Sequence, residues 1–155
     1  MSDPKLLELT NDGNFRGKVA AVLGDMVASG HDPKIFEAMR TVAQQREKVR
    51  LGYSKTMNSY HLKRGSDGLG KAADVADRKK GWNAPTRFWL MLASSAMAHG
   101  VGCGILFGLN DRQKLALAEA IKTLRAAGWP AKHEAYQVQT GWDTAHLQAD
   151  DNWPQ

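Results

Sequence analysis

Glycine cuts this chain into short pieces, and that punctuation limits the folds open to it. Three helix-period patterns each end at a glycine: Asn14 to Ser29 at Gly30, Val42 to Leu51 at Gly52, and Asp111 to Ala127 at Gly128. Glycine adopts the left-handed backbone that closes a helix without steric cost, so none of the three continues as a long rod. In the first, Phe15, Val19, Val22, Leu23, Met26 and Val27 recur at helical spacing, with Asn14 placed as the cap. In the second, Gln44, Gln45, Arg46 and Lys48 are expected to form the wet face. The third is the clearest, with Leu115, Ala118, Ile121, Leu124 and Arg125 sharing a face. A fourth helix is expected behind Pro85, from about Thr86 to His99.

The segments between these helices have a different pattern. Asp32-Pro33 marks a turn, and Lys34 to Met39 is short enough for a strand or the start of a helix. Tyr53 to Gly70 is polar and glycine-rich, which predicts loop. Ala72-Ala73-Asp74-Val75-Ala76 predicts a buried strand with one acid inside it, and Val101 to Phe107 a strand or tight turn. His133 to Gln148 reads as extended. The sum is an α+β fold with segregated helices and a small sheet. The 155 residues fit a single domain, 1–155, with its core expected at about 14–148. Such a length can bury a core without covalent staples. It must do so here, because Cys103 is the only cysteine.

The same lone cysteine excludes a thiol-rich metal site, so any metal must be held by imidazole and carboxylate. The formal net charge is +5, from 21 basic and 16 acidic residues, which favours contact with anionic polymers or surfaces. Lys79-Lys80 with Trp82, and Lys63-Arg64, could form a basic patch, but acids are dispersed among the basic residues and no nucleic-acid reader motif is present. No nucleic-acid partner is therefore expected. The apolar stretch Phe88 to Ala98 is far shorter than the roughly 20 residues of a membrane span. The polar start, Met1 to Lys5, is unlike a signal peptide, so synthesis in the cytoplasm is expected.

Of the five histidines, His31, His61, His99, His133 and His146, context separates two. His61 opens a glycine-rich loop that ends at Gly70-Lys71-Ala72-Ala73-Asp74. An acid among small apolar residues is costly to bury unless it pairs with a cation or binds a metal. His146 follows an acid in Asp143-Thr144-Ala145-His146. Two imidazoles and a carboxylate suit a hydrolytic zinc site with one open position, and Asp143 is placed as the base that takes the water proton. Asp67, nearer His61 in sequence, is a rival ligand, and Glu37 with Asp74 could instead form a glycosidase-type carboxylate pair.

These residues resemble peptidase family M15, the zinc peptidases that include D-Ala-D-Ala carboxypeptidases, dipeptidases and phage L-alanyl-D-glutamate endopeptidases. That family carries a Ser-x-His-x-x-Gly-x-Ala-x-Asp signature and a later Asp/Glu-x-x-His. Here Ser59-Tyr60-His61, Gly70-Lys71-Ala72-Ala73-Asp74 and Asp143-Thr144-Ala145-His146 occur in that order. The resemblance implies a small antiparallel sheet with helices around it and one zinc ion per chain in a cleft on the sheet. It implies His61, Asp74 and His146 as ligands and Asp143 as general base. Ala38-Met39-Arg40-Thr41, followed by Gln44 and Gln45, is similar to a further element of the family, which implies that Arg40 donates to the substrate carbonyl and its oxyanion.

The chain departs from the pattern by placing twelve residues between His61 and Asp74, about twice the family's usual interval. Lys63 to Leu69 therefore reads as a loop inserted beside the metal. Gly104 to Gly108 stands where many members have a tryptophan-glycine turn. The resemblance implies a monomeric peptidoglycan stem-peptide hydrolase. The L-alanyl-D-glutamate endopeptidase type is expected, acting as a phage or prophage endolysin that reaches the wall after release from the cytoplasm. A D-Ala-D-Ala carboxypeptidase is the alternative, and a basic nucleic-acid-binding or phage structural protein is the non-enzymatic one. The bond that is cut is not legible in the residues.

Overall fold

The computed structural model describes residues 2–155. Four helices, α1 (Phe15–Ala28), α2 (Val42–Arg50), α3 (Thr86–Ala98) and α4 (Asp111–Ala126), accompany four strands. The strands are β1 (Pro33–Glu37), β2 (Ala72–Asp77), β3 (Gly102–Cys103) and β4 (His146–Gln148). They form one antiparallel sheet in the order β1-β2-β4-β3, so the α+β expectation holds. β2 and β4 are central, and both are buried almost throughout, which explains the unbroken run of small apolar residues around Asp74.

Strand alternation sorts the two faces of the sheet. Ala73, Val75 and Leu147 belong to the hydrophobic core, together with Phe88, Leu90 and Leu92 of α3 and Val19, Val22 and Met26 of α1. Asp74 and His146, one step out of phase with them, are cross-strand partners on the opposite face. The core cluster starts at Leu6 and ends at Trp153, whose indole donates to the carbonyl of Val101. No helix among the described residues is long and apolar enough to cross a membrane.

Several local expectations change in the structure. Asn14 stands at the start of α1 in a left-handed conformation, and its side chain makes no capping bond. Val27 and Leu115 face solvent, and Leu117 takes the buried place on α4 beside Ala118, Ile121 and Leu124. The predicted extended run from His133 holds a 3₁₀ turn at Glu134–Gln137 and becomes strand only at His146. A three-residue strand is too short for its period to stand out from the flanking loop. Gln45, expected on the wet face of α2, is fully buried.

Candidate metal centre

Each side chain of the site arrives on a different piece of backbone. His61 lies on a 3₁₀ turn, Tyr60–Leu62, and its own amide donates to the capping hydroxyl of Ser59. Asp74 comes from β2 and His146 from β4, directly opposite each other in the ladder. One donor atom from each of these three buried residues lies within 4.8 Å of the others. His61 Nε2 is 3.1 Å from Asp74 Oδ1, and His146 Nδ1 is 3.7 Å from the same oxygen.

The opposite nitrogens of the two rings are already engaged. His61 Nδ1 is 2.6 Å from the carbonyl oxygen of Ala38, and His146 Nε2 is 3.1 Å from Oε1 of Gln148. Both partners only accept, so each of these nitrogens carries the proton. The inward nitrogens, His61 Nε2 and His146 Nδ1, then present lone pairs toward a buried carboxylate. Three acceptors converging without a donor are unfavourable unless a proton or a cation lies among them. The donor set and its orienting partners therefore fit a metal ion, and two imidazoles with one carboxylate are the ligands of an open hydrolytic site.

Electrostatics agree with that reading. Burial alone would raise the Asp74 carboxyl, but the His146 and His61 rings outweigh it and hold the group well below the ordinary carboxylate range. Desolvation pulls His61 down, yet its hydrogen bond and charge interaction with Asp74 leave it raised overall. Asp143 Oδ2 is 4.0 Å from His146 Nδ1, outside the three-residue group but beside it. Burial, and then the negative charge of Asp74, push Asp143 up to about 6.

Two glycines seat Asp143. The 104–108 turn packs backbone to backbone against residues 141–143, with Gly141 N donating to Ile105 O at 2.5 Å and Asp143 N to Gly104 O at 3.3 Å. A Cβ on Gly104 would strike the carbonyl of Asp143 and the Cβ of His146, and one on Gly141 would strike the carbonyls of Phe107 and Ile105. Only glycine lets the two segments approach so closely. Phe107 then lies against both the His146 ring and Trp142, at centroid distances of 5.2 and 5.5 Å.

Arg40 reaches the site from the linker between β1 and α2. A register shift between Ile35 and Glu37 brings Glu37 opposite Asp74. Glu37 then grips Arg40 with two bonds, to Nε at 2.6 Å and to Nη2 at 2.8 Å. Arg40 Nη1 donates to Gln45 Oε1 at 2.7 Å, and Nη2 stands 3.5 Å from Asp74 Oδ2. Arg64 bonds the carbonyls of His61 and Arg40 at 2.8 and 2.7 Å, tying the histidine turn to the same linker.

The structure thus brings His61, Asp74, His146, Asp143 and Arg40 together. Asp67 is held elsewhere: its carboxylate accepts from Thr10 Oγ1 and the amide of Asn11. Glu37 is committed to Arg40 rather than paired with Asp74 across an open cleft. His31 and His99 sit far from the group, against Met91 and Asp25, and His133 caps its own 3₁₀ turn. Sequence reasoning missed Gln148 and the Ala38 carbonyl, which orient the rings. Gln148, two residues from His146 on one strand, falls on the same face by alternation alone, a signal that was available.

No protein-family model matches the chain, and no curated protein sequence matches it either. Among solved structures it is similar to the L-Ala D-Glu endopeptidase ChiX of Serratia marcescens. The two chains share 18% sequence identity and superpose with a TM-score of 0.55, over 93% of this chain and 82% of that one. At that identity the likeness establishes a shared fold.

Proposed function

We propose that this chain is a zinc-dependent peptidoglycan peptidase that hydrolyses a stem-peptide bond, of the L-alanyl-D-glutamate endopeptidase type. One observation carries the reading: on a fold shared with an L-Ala D-Glu endopeptidase, His61, Asp74 and His146 converge within 4.8 Å and Asp143 stands beside them. His61 Nε2, His146 Nδ1 and an Asp74 oxygen would hold the ion. Zinc supplies Lewis acidity, which lowers the pKa of water and polarises a carbonyl.

The protein's own groups divide the remaining work. Asp143 is the general base. A carboxyl raised by burial is ionised at neutral pH yet basic enough to take a proton from the attacking water. It then returns that proton to the leaving amine. Arg40 has five N–H donors, of which Glu37 takes two and Gln45 one, while Nη2 also faces Asp74. The second N–H of Nη1 is the one left for a substrate carbonyl and its developing charge. The phenol of Tyr60, bonded to Asp150 at 2.6 Å and pushed up to about 12 chiefly by that bond, stays protonated at neutral pH.

The positive balance of the chain supports dwelling on an anionic wall or outer-membrane surface, an attraction that added salt weakens. With it goes the role of a monomeric phage or prophage endolysin, made in the cytoplasm and acting on the wall after release. The test is digestion of purified peptidoglycan by the zinc-loaded protein, with mass spectrometry of the fragments. New N-terminal D-glutamate is the expected product. Release of D-alanine alone would make the enzyme a carboxypeptidase, and reducing sugars without new amino groups would overturn the peptidase reading.

A further inference from the structure

Gln45 is the one fully buried side chain of α2, and it satisfies both ends of its amide on different segments. Its Oε1 accepts from Arg40 Nη1 at 2.7 Å. Its Nε2 donates to Ser54 Oγ at 2.9 Å and to the carbonyl of Thr56 at 2.7 Å. Ser54 and Thr56 belong to the exposed loop between α2 and the His61 turn. The same loop carries Lys55, whose ammonium lies 5.7 Å from the centre of the Trp142 ring. Trp142 is 55% exposed, is backed by Phe107 and directly precedes Asp143.

A chain of contacts thus runs from Asp74 through Arg40 and Gln45 into the loop, and across to the aromatic rim beside Asp143. Little else secures residues 53–58. Their other bonds are local, such as Tyr53 N to Lys48 O at 2.9 Å and Asn58 N to Thr56 Oγ1 at 2.9 Å. An exposed loop with few buried contacts takes its position from the few bonds it does make. A glutamine buried in this way also loses its desolvation cost only while all its partners are present.

We propose that Gln45 is a positioning residue: it fixes the Lys55 loop as one wall of the substrate groove and registers that wall against Arg40. The inference rests on the peptidase reading above and adds to it the element that sets substrate affinity. The two ends of the amide are separable. Gln45→Glu keeps an acceptor for Arg40 and loses the donor to Ser54 and Thr56. Gln45→Met, of similar shape, loses both.

The experiment compares native protein, Gln45→Glu, Gln45→Met and Gln44→Ala. The last variant removes only one of the two bonds of the exposed capping box of α2, the one in which Gln44 Oε1 accepts from Thr41 N. Hydrogen exchange is followed on the metal-free proteins, and kcat and KM on a synthetic stem peptide with zinc-loaded ones. Both Gln45 variants are expected to speed exchange in residues 54–58. Gln45→Glu should raise KM about tenfold with kcat within about threefold of native, and Gln45→Met should lower kcat about tenfold as well. Gln44→Ala should alter neither constant. Unchanged exchange at 54–58 in Gln45→Met, or equal effects in Gln44→Ala and Gln45→Met, would overturn the proposal. Native protein that cleaves no stem peptide would remove the peptidase reading on which it stands, and the proposal with it.

Discussion

The strand-borne pair of the candidate metal centre and the rim beside it are built in opposite ways. Asp74 and His146 are partners in the central pair of strands, and both histidine rings are oriented by buried acceptors, Ala38 O and Gln148 Oε1. The segments flanking the His61 turn, 53–58 and 63–69, are largely exposed and hang on contacts from distant segments. Gln45 holds the first, while Asp12, Thr10 and Asn11 hold the second through Ser66 and Asp67. The contrast teaches that Asp74 and His146 are placed by sheet register, whereas the exposed segments beside them are placed by a few replaceable hydrogen bonds. Substitutions at the first should change kcat and metal content, and substitutions at the second should change KM.

The largest effect is expected from Asp143→Asn. It removes the base but none of the three converging donors, so about one metal ion per chain should be retained while kcat falls by roughly 10² to 10⁴. Metal analysis and steady-state kinetics on one preparation check this, and loss of the metal would make Asp143 a ligand rather than a base. The pH dependence sharpens the same point. With Asp143 as the proposed base, kcat/KM should fall as the pH drops through its pKa. That acid limb should lie at or below the value of about 6 set by burial and Asp74, because a bound cation lowers it further. A limb well above pH 6 would assign the base elsewhere.

Gly104→Ala probes the close approach that seats Asp143. The new methyl meets backbone that cannot move cheaply, so a stability loss of about 1–3 kcal/mol and a drop in kcat of about tenfold are expected. Urea unfolding and kinetics measure the two. The smallest effect belongs to Asp12→Asn, at the exposed tether to Ser66. Faster hydrogen exchange at the Ser66 amide with native-like Tm and kcat is the expected result. A large fall in kcat would show that the 63–69 loop belongs to the catalytic machinery.

The same contrast explains what could be read in the sequence. That His61, Asp74, Asp143 and His146 come together was legible because their short motifs occur as one ordered set. α1 and α4 were legible because their apolar period is long enough to count, and α3 because Pro85 marks its start. Asp67 competed with Asp74 on sequence alone. Its bonds to Thr10 and Asn11, across 57 and 56 residues, decide between them and are invisible to local pattern. Gln45 was placed on the wrong face because a glutamine in a polar helix looks solvated, and only the packing of Arg40 and the Ser54 loop buries it. β4 lies inside the run read as extended, but its bounds were not legible because three residues carry too little period, although its pairing with β2 brings His146 to Asp74.

The most direct test measures bound metal and peptidoglycan cleavage on the same sample, native protein beside His146→Ala. About one zinc ion per native chain, new amino groups released from purified wall, and loss of both in a variant that still folds are the predicted results. A native protein that binds no zinc under metal-replete conditions and releases no amino groups would contradict the account.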